Sequence, residues 1–401
     1  MKVAVVSSGN IPSQYANSIN TVRHADGFLK NGHEVKIFTV MRQREKKYLK
    51  GLNINSHYNI KDIPIKYIND PSLYYFNKFN FLRRIISNLE YLPFFNRFIN
   101  KGAAEKNISY QIFSEDYDLS YCRSYFTTLC NIDLGINTIL ETHAANPNKI
   151  PQLSKLKEKS NSKFFKGIVT IHNKIKDRLV RMGFPENKII VLEDAVQHNF
   201  FQQKPPSKDQ LKIDLNLPPN KKMITYVGSL KKGKGIGKIV KLSKKLFSRD
   251  DIIFHIVGGS QREISVIKKK YNPSSNVVFS GFVSGSEIPK YLACSDLLLL
   301  LYDINEKKPV MDFETTSPIK LFEYMSSGKP ILATRVPTIE KIVDFKEDIL
   351  IYEDQDLTNQ IKKIIDNLEY YQQRTQKMRE ISKTFTYEKR VNKIISNLFI
   401  K

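Results

Sequence analysis

Thr315–Thr334, TTSPIKLFEYMSSGKPILAT, reads as a helix start suited to phosphate followed directly by a buried strand. Ser317 is expected as the N-cap and Pro318 as the first helical residue, because the cap oxygen satisfies orphan amides and proline lacks the donor it would waste. That leaves the amides of Ile319 and Lys320, beside Thr316 and Ser317, directed at an anion. A helix N-terminus carries roughly half a positive charge, which suits a diphosphate. Glu323, one turn on, is placed to accept hydrogen bonds from ribose hydroxyls. Gly328 supplies the helix stop, and Lys329-Pro330 lead into the apolar run Ile331–Ala333. Taken alone, the segment fits an ordinary capped amphipathic helix as well as a nucleotide diphosphate site.

Working outward, the chain of 401 residues accommodates two α/β domains, and at 41% hydrophobic residues both can bury a core. In the N-terminal half, Val3–Val6 reads as a first strand, Thr21–Lys30 as a helix closing at Asn31-Gly32, and His33–Val40 as a second strand. This alternation is that of a parallel, doubly wound sheet. Gly9 and Asn10 lie in the loop after the first strand, at the carboxyl edge where open α/β sheets bind ligands. The loop is not GxGxxG, which argues against a dinucleotide-dependent dehydrogenase. Leu119–Arg123, Thr138–His143, Gly167–His172 and Ile189–Leu192 read as further strands. Gln202–Gln210, QQKPPSKDQ, is polar, carries prolines and reads as the domain linker.

The C-terminal half opens with Met223–Val227 as a strand and Gly228–Gly235, GSLKKGKG, as a glycine- and lysine-rich turn before a helix. Lysine there is a mobile point charge for phosphate oxygens. No GxxxxGK[ST] occurs, so the turn is not a P-loop. Ile252–Gly259, Asn276–Phe282 and Leu297–Leu301 read as strands and Ile288–Ala293 as a helix.

Composition bounds the partners. Cys122, Cys130 and Cys294 show no metal or redox spacing and read as packing residues of a reducing compartment. MKVAVVSSGN is too short and too little charged for a signal peptide, and Leu297–Tyr302 is far below the roughly 20 residues of a membrane span. The expected location is the cytoplasm, with any membrane contact peripheral. The net charge is +24, and residues 1 to 110 hold 17 Lys and Arg against 7 Asp and Glu. Attraction to an anionic membrane and a simple compositional bias account for this equally well. Residues 74 to 101, YYFNKFNFLRRIISNLEYLPFFNRFINK, combine aromatics with Arg83 and Arg84. They read either as an interfacial helix or as one packed on the sheet. Arg42, Arg44, Lys46, Lys47 and Lys50 form a basic cluster before them. No nucleic-acid partner is expected.

The Ser-Pro-Ile-Lys-Leu-Phe-Glu-Tyr-Met string resembles the signature of retaining glycosyltransferases of family four, in the subgroup with Ser-Pro-x-Lys-Leu-Phe-Glu-Tyr-Met. The resemblance implies the α/β GT-B fold, two Rossmann-like doubly wound domains facing a cleft. The expected organisation is an acceptor-side domain over 1–201, a nucleotide-sugar domain over 202–384 and a terminal helix, 385–401, crossing back. Glu141 and His143 match the family's Glu-x-His, whose histidine contacts the donor sugar. Glu193-Asp194-Ala195-Val196 with Phe200 resembles its last N-domain turn. Lys234 matches the lysine of Gly-Arg-Leu-x-x-x-Lys-Gly, but Ser229 stands where the arginine is expected, leaving Lys231 or Lys232 to replace it. The loop after Gly281, with Phe282, is implied to contact the base. With Glu323 as the second family glutamate, the first falls at Thr315, and Glu314, one residue earlier, takes its place at the sugar.

The implied activity is metal-independent, retaining hexosyl transfer from a UDP-, GDP- or ADP-sugar, UDP or GDP favoured, to a hydroxyl of a glycan or lipid-linked acceptor in bacterial surface polysaccharide synthesis. No cofactor is implied. The expected catalytic residues are His143, Lys234 and Glu314. The expected donor-binding residues are Gly9, Asn10, Ser229, Lys232, Lys234, Phe282, Thr316, Ser317, Ile319, Lys320 and Glu323. A catalytically silent GT-B partner protein and a nucleotide-sugar epimerase of the same fold stay open as alternatives.

Overall fold

The computed structural model describes residues 1–7, 9, 11–13, 15–41, 54–69, 102–148, 150–202, 206–306, 315, 317–343, 350–352 and 357–400. Asn10, Glu314, Thr316, the basic cluster at 42–50 and residues 74–101 lie outside them. The chain divides into two units, Met1–Leu192 with Glu388–Lys401, and Glu193–Tyr387.

The first unit holds a seven-stranded parallel sheet: β1 Lys2–Val6, β2 Glu34–Met41, β3 Ile65–Asn69, β4 Leu119–Cys122, β5 Thr138–Glu141, β6 Phe165–Thr170 and β7 Ile189–Val191. Their order across the sheet is β3-β2-β1-β4-β5-β6-β7. Helices cover both faces, so a strand such as Val3–Val6 is apolar at every position and wholly buried. Its side chains alternate between two cores. Val3 and Val5 pack with Phe28, Tyr121 and Ile139, and Ala4 and Val6 with Phe38, Ile108 and Ile112. The terminal helix Tyr387–Leu398 places Val391, Ile394, Ile395 and Leu398, at spacings of three and four, in the first of these cores.

The second unit repeats the plan in six parallel strands: β8 Lys222–Val227, β9 Ile252–Val257, β10 Val277–Gly281, β11 Leu297–Leu300, β12 Ile331–Thr334 and β13 Leu350–Tyr352. The order is β10-β9-β8-β11-β12-β13. Strand β11 is four consecutive leucines, Leu297 and Leu299 entering one core and Leu298 and Leu300 the other. Each fully buried leucine contributes about 1.5–3 kcal/mol, so this strand anchors the unit. In each sheet the winding reverses beside the first strand, between β1 and β4 and between β8 and β11. Ligands of open α/β sheets bind at such reversals, outside the carboxyl ends.

Two local readings are corrected. The signature helix runs Ile319–Ser327 with Pro318 as its N-cap and no side-chain capping bond. Ser317 lies one residue before the cap, where its Oγ accepts from the Asp194 N–H at 2.9 Å. The pull of that amide, which sequence proximity does not reveal, replaces the capping role. The stretch read as an aperiodic linker is partly helical: Asn199–Gln202 ends one helix and Lys208–Asp214 forms another, capped by Ser207, whose Oγ accepts from the Gln210 N–H. The cap outweighs the prolines before it.

Candidate functional site

At the carboxyl edge of the second sheet, β8 ends in Gly228 and β9 in Gly258-Gly259. A Cβ on Gly258 would stand 2.1 Å from the Gly228 carbonyl oxygen, and one on Gly228 2.4 Å from Lys320 Nζ. Both positions have positive φ, at 119° and 147°. Glycine is required because two strand ends and a lysine converge where any side chain would intrude.

Lys320 comes from the second position of the signature helix. Its Nζ donates to Tyr226 Oη at 2.9 Å and lies 4.1 Å from the centre of that ring. Tyr226 Oη in turn donates to the Ser229 carbonyl at 2.7 Å. Lys234 reaches the same edge from the glycine-rich turn, its Nζ 5.5 Å from the Tyr302 ring. The Lys234 N–H donates to the Lys231 carbonyl, and Gly233 accepts from the Asp303 N–H, which shapes the turn. Two ammonium groups are therefore held over tyrosine rings, which are weak substitutes for an anion.

The energetics follow. Burial, with Lys231 adding repulsion, lowers Lys234 to about 8. Burial together with the charge of Lys234 holds Lys320 well below the ordinary lysine range, while Glu323 acts in the opposite sense. Both lysines are thus held below their ordinary range, Lys234 by burial and Lys231, Lys320 by burial and Lys234, so a nearby negative charge would favour their charged forms. The signature helix adds its N-terminus: the amides of Ile319 and Lys320 have no intrahelical acceptor by position, and Leu321 N–H already closes on the Pro318 carbonyl at 2.8 Å.

The helix is held in register by Tyr324, four residues after Lys320 and on the same face. Its Oη accepts from Val227 N–H at 2.8 Å and lies near the Val227 and Leu299 carbonyls at 3.3 and 3.4 Å. Gly328, in the left-handed conformation, closes the helix on Met325. Glu323 is buried, one turn from the helix start.

Of the residues singled out by sequence, the structure brings together Ser229, Lys234, Ser317, Ile319, Lys320 and Glu323 on the elements of this edge. Ser229 is exposed and contributes its carbonyl through Tyr226. Lys232 is exposed on the turn, and Phe282, 40% exposed, follows β10. Thr315 is buried. Lys320 enters this edge through its side chain as well as its amide, its Nζ lying beside Gly228. Tyr226, Tyr302 and Tyr324 were not singled out. The available signals were Tyr226 near the carboxyl end of β8, Tyr302 just after the leucines of β11 and Tyr324 within the signature helix.

In the first unit, Gly9 follows β1 and His143 follows β5. The Gly9 amide donates to Ser7 Oγ at 3.1 Å, and its carbonyl accepts from Ser7 and Thr39 hydroxyls at 2.7 and 3.0 Å. His143, partly exposed, donates from Nε2 to Glu141 Oε1 at 2.7 Å. The Arg123 guanidinium lies against the same ring, Nη2 being 3.4 Å from Nδ1 and 3.3 Å from Nε2, and its Nη1 is 3.2 Å from Glu141 Oε1. Glu141 is wholly buried. Burial alone would raise its pKa, but Arg390 first, with Arg123 and the hydrogen bond from His143, holds it well below the carboxylate range. Among the described residues, Cys122 and Cys294 are buried thiols raised to about 12 and about 11 by burial, which fits packing.

Two α/β units, each built on a parallel doubly wound sheet, match the GT-B fold. Residues 207–383 match the family Glycosyl transferases group 1, so the second unit carries a domain of that family. The chain is 27% identical over 198 residues to the alpha-galactosylglucosyldiacylglycerol synthase of Streptococcus pneumoniae, covering 46% of this chain and 51% of that protein. It is 21% identical over 217 residues to the putative teichuronic acid biosynthesis glycosyltransferase TuaC of Bacillus subtilis, covering 53% and 50%. The chain thus spans about half the length of the curated relatives it matches. Among solved structures, HepE of Anabaena in complex with UDP-glucose superimposes with a TM-score of 0.67 at 13% identity, over 99% of this chain and 100% of that one. That likeness concerns the fold. Among the described residues, no helix is long and apolar enough to cross a membrane.

Proposed function

We propose that the protein transfers a hexose from a nucleoside diphosphate sugar, UDP or GDP favoured, to a hydroxyl of a glycan or lipid-linked acceptor, with retention at the anomeric carbon. The observation that carries this reading is the pair Lys234 and Lys320, seated over Tyr302 and Tyr226 beside a helix N-terminus at the carboxyl edge of the second sheet. Such a group stabilises the negative charge that develops on a departing diphosphate, so the leaving group needs little acid-base assistance. In this proposal the lysines and the helix dipole serve where a divalent cation otherwise would. Glu323 accepts from the ribose, Ser317 and Ile319 border the phosphates, and Phe282 meets the base. Asn10, Thr316 and Glu314 are assigned to the donor from the family resemblance alone. His143 is the residue proposed to face the donor sugar, with Gly9 at the same sheet edge.

The names of the relatives, an alpha-galactosylglucosyldiacylglycerol synthase and a putative teichuronic acid biosynthesis glycosyltransferase, support a lipid-linked or surface-polymer acceptor. The net charge of +24 supports peripheral contact with the anionic inner face of a plasma membrane. The test is a thermal-shift panel of UDP, GDP, ADP and their sugar conjugates on the wild type and Glu323→Ala. Stabilisation by one base family, diminished in the variant, is the expected result. It is followed by transfer assays that read the anomeric configuration of the product. Silence towards every nucleotide would defeat the proposal.

A further inference from the structure

The buried carboxylate of Glu141 is surrounded by more charge than holding one histidine requires, and part of that charge arrives from the far end of the chain. We propose that Arg390, on the terminal helix, is a positioning residue that acts through Glu141 to fix the ring orientation and protonated nitrogen of His143. The inference rests on the reading of His143 as the residue facing the donor sugar.

The geometry divides the carboxylate into two sides. Oε1 receives His143 Nε2 at 2.7 Å and Arg123 Nη1 at 3.2 Å. Oε2 receives the Tyr121 hydroxyl, in a short contact, and Arg390 Nη1 at 3.3 Å, with His24 Nε2 also at 3.3 Å. His24 brings no charge to this side. Its Nδ1–H donates to the Asn20 carbonyl at 2.7 Å, so Nε2 keeps its lone pair and accepts from Arg390 Nη1. Burial first, with Arg390 and Arg123 opposing a second positive charge, lowers His24 to about 3. Arg390 is accordingly the cation on the Oε2 side, as Arg123 is on the Oε1 side.

Arg390 is almost completely buried, and its second nitrogen, Nη2, donates to the Leu192 carbonyl at 3.2 Å. The planar guanidinium is therefore locked among His24, Glu141, the Tyr121 hydroxyl at 3.4 Å and a backbone carbonyl. A lysine supplies the charge but not the fork. With Arg390 in place Glu141 stays ionised and accepts from His143 Nε2–H. Without it, Oε2 is left facing the Tyr121 hydroxyl and the His24 Nε2 lone pair 3.3 Å away, and the buried Glu141–His24 pair takes up a proton at higher pH. A protonated Glu141 donates as readily as it accepts, so it no longer dictates which His143 nitrogen carries hydrogen.

Histidine-selective nitrogen-15 NMR on the full chain tests this, the His143 signal being assigned by its loss in His143→Gln. The wild type is expected to show one tautomer, hydrogen on Nε2, near neutral pH. Arg390→Gln is expected to show a mixture, and Arg390→Lys an intermediate pattern. In assays with UDP-glucose, or whichever donor the nucleotide panel selects, Arg390→Gln is expected to lower kcat about tenfold or more and to move the acid limb of its pH profile upward, while UDP affinity changes by less than about twofold. A residue serving stability alone would lower the melting temperature and leave the tautomer, the pH profile and kcat as they were. A mixed tautomer in the wild type, a wild-type His143 spectrum in folded Arg390→Gln, or failure of both variants to fold would each overturn the proposal. The NMR readout needs no turnover, so a protein that transfers no sugar would defeat the proposed function while leaving this inference to stand or fall on the spectrum.

Discussion

Lys234 and Lys320 show how position alone changes a side chain. Both are ordinary lysines in composition, yet burial, with Lys231 repelling Lys234 and Lys234 repelling Lys320, puts Lys234 at about 8 and Lys320 well below its usual range. A diphosphate bound as proposed would favour their charged forms. At pH 8, UDP binding is therefore expected to take up protons, and affinity to weaken as pH rises above about 8. Calorimetry at pH 8 in two buffers of different ionisation enthalpy checks this, and equal heats in both would contradict it. Gly228→Ala acts on the same pair, since its Cβ would fall 2.4 Å from Lys320 Nζ and 2.8 Å from Cε. The lysine end is displaced, and alanine at a φ of 147° strains the backbone as well, so some loss of stability accompanies it. The expected outcome is a folded protein whose thermal shift with UDP is largely lost.

At the scale of elements, the signature helix is placed by contacts at both ends and along its face. Ser317 ties its approach to Asp194, Tyr324 pins it to the ends of β8 and β11, and Phe322 packs against Phe385 with ring centres 5.1 Å apart. Tyr324→Phe keeps the ring and removes the acceptor of a buried amide, leaving Val227 N–H unsatisfied. An orphaned buried donor costs about 1–3 kcal/mol. A loss of that size in denaturant unfolding is expected, with weaker nucleotide binding because Lys320 rides on the same face. Wild-type stability and affinity together would show that the tyrosine hydroxyl does not set the helix.

Across the whole molecule, the buried histidines share one sign. His24 is lowered to about 3 and His255 to about 4, in each case first by burial, and both titrate near 6.5 once unfolded. Between pH 6.5 and the folded values the unfolded chain binds more protons, so stability falls as pH falls. Each such histidine contributes at most about 1.4 kcal/mol per pH unit in that window. Glu141, whose folded pKa is depressed, adds a further loss below its unfolded value near 4.3. Urea titrations from pH 7 to 4 are expected to show a steady decline, with a shallower slope in His255→Gln. A flat profile down to pH 5 would contradict the neutral buried state of these rings.

Much of this was legible in residue order. The alternation of apolar runs with amphipathic segments determines two parallel, doubly wound sheets, because a strand buried on both faces must be apolar throughout, as Val3–Val6 and Leu297–Leu300 are. The string at Ser317–Met325 marks a helix start after β11, and Gly228–Gly235 the lysine-bearing turn after β8, because local backbone chemistry is written in neighbouring residues. What the sequence could not show was long-range pairing. Ser317 caps nothing and instead accepts from Asp194, 123 positions away. Arg390 meets Glu141 across 249 positions, and Tyr226 meets Lys320 across 94. Those partners are chosen by where the parallel strands end in space, and no periodicity or spacing along the chain encodes that distance.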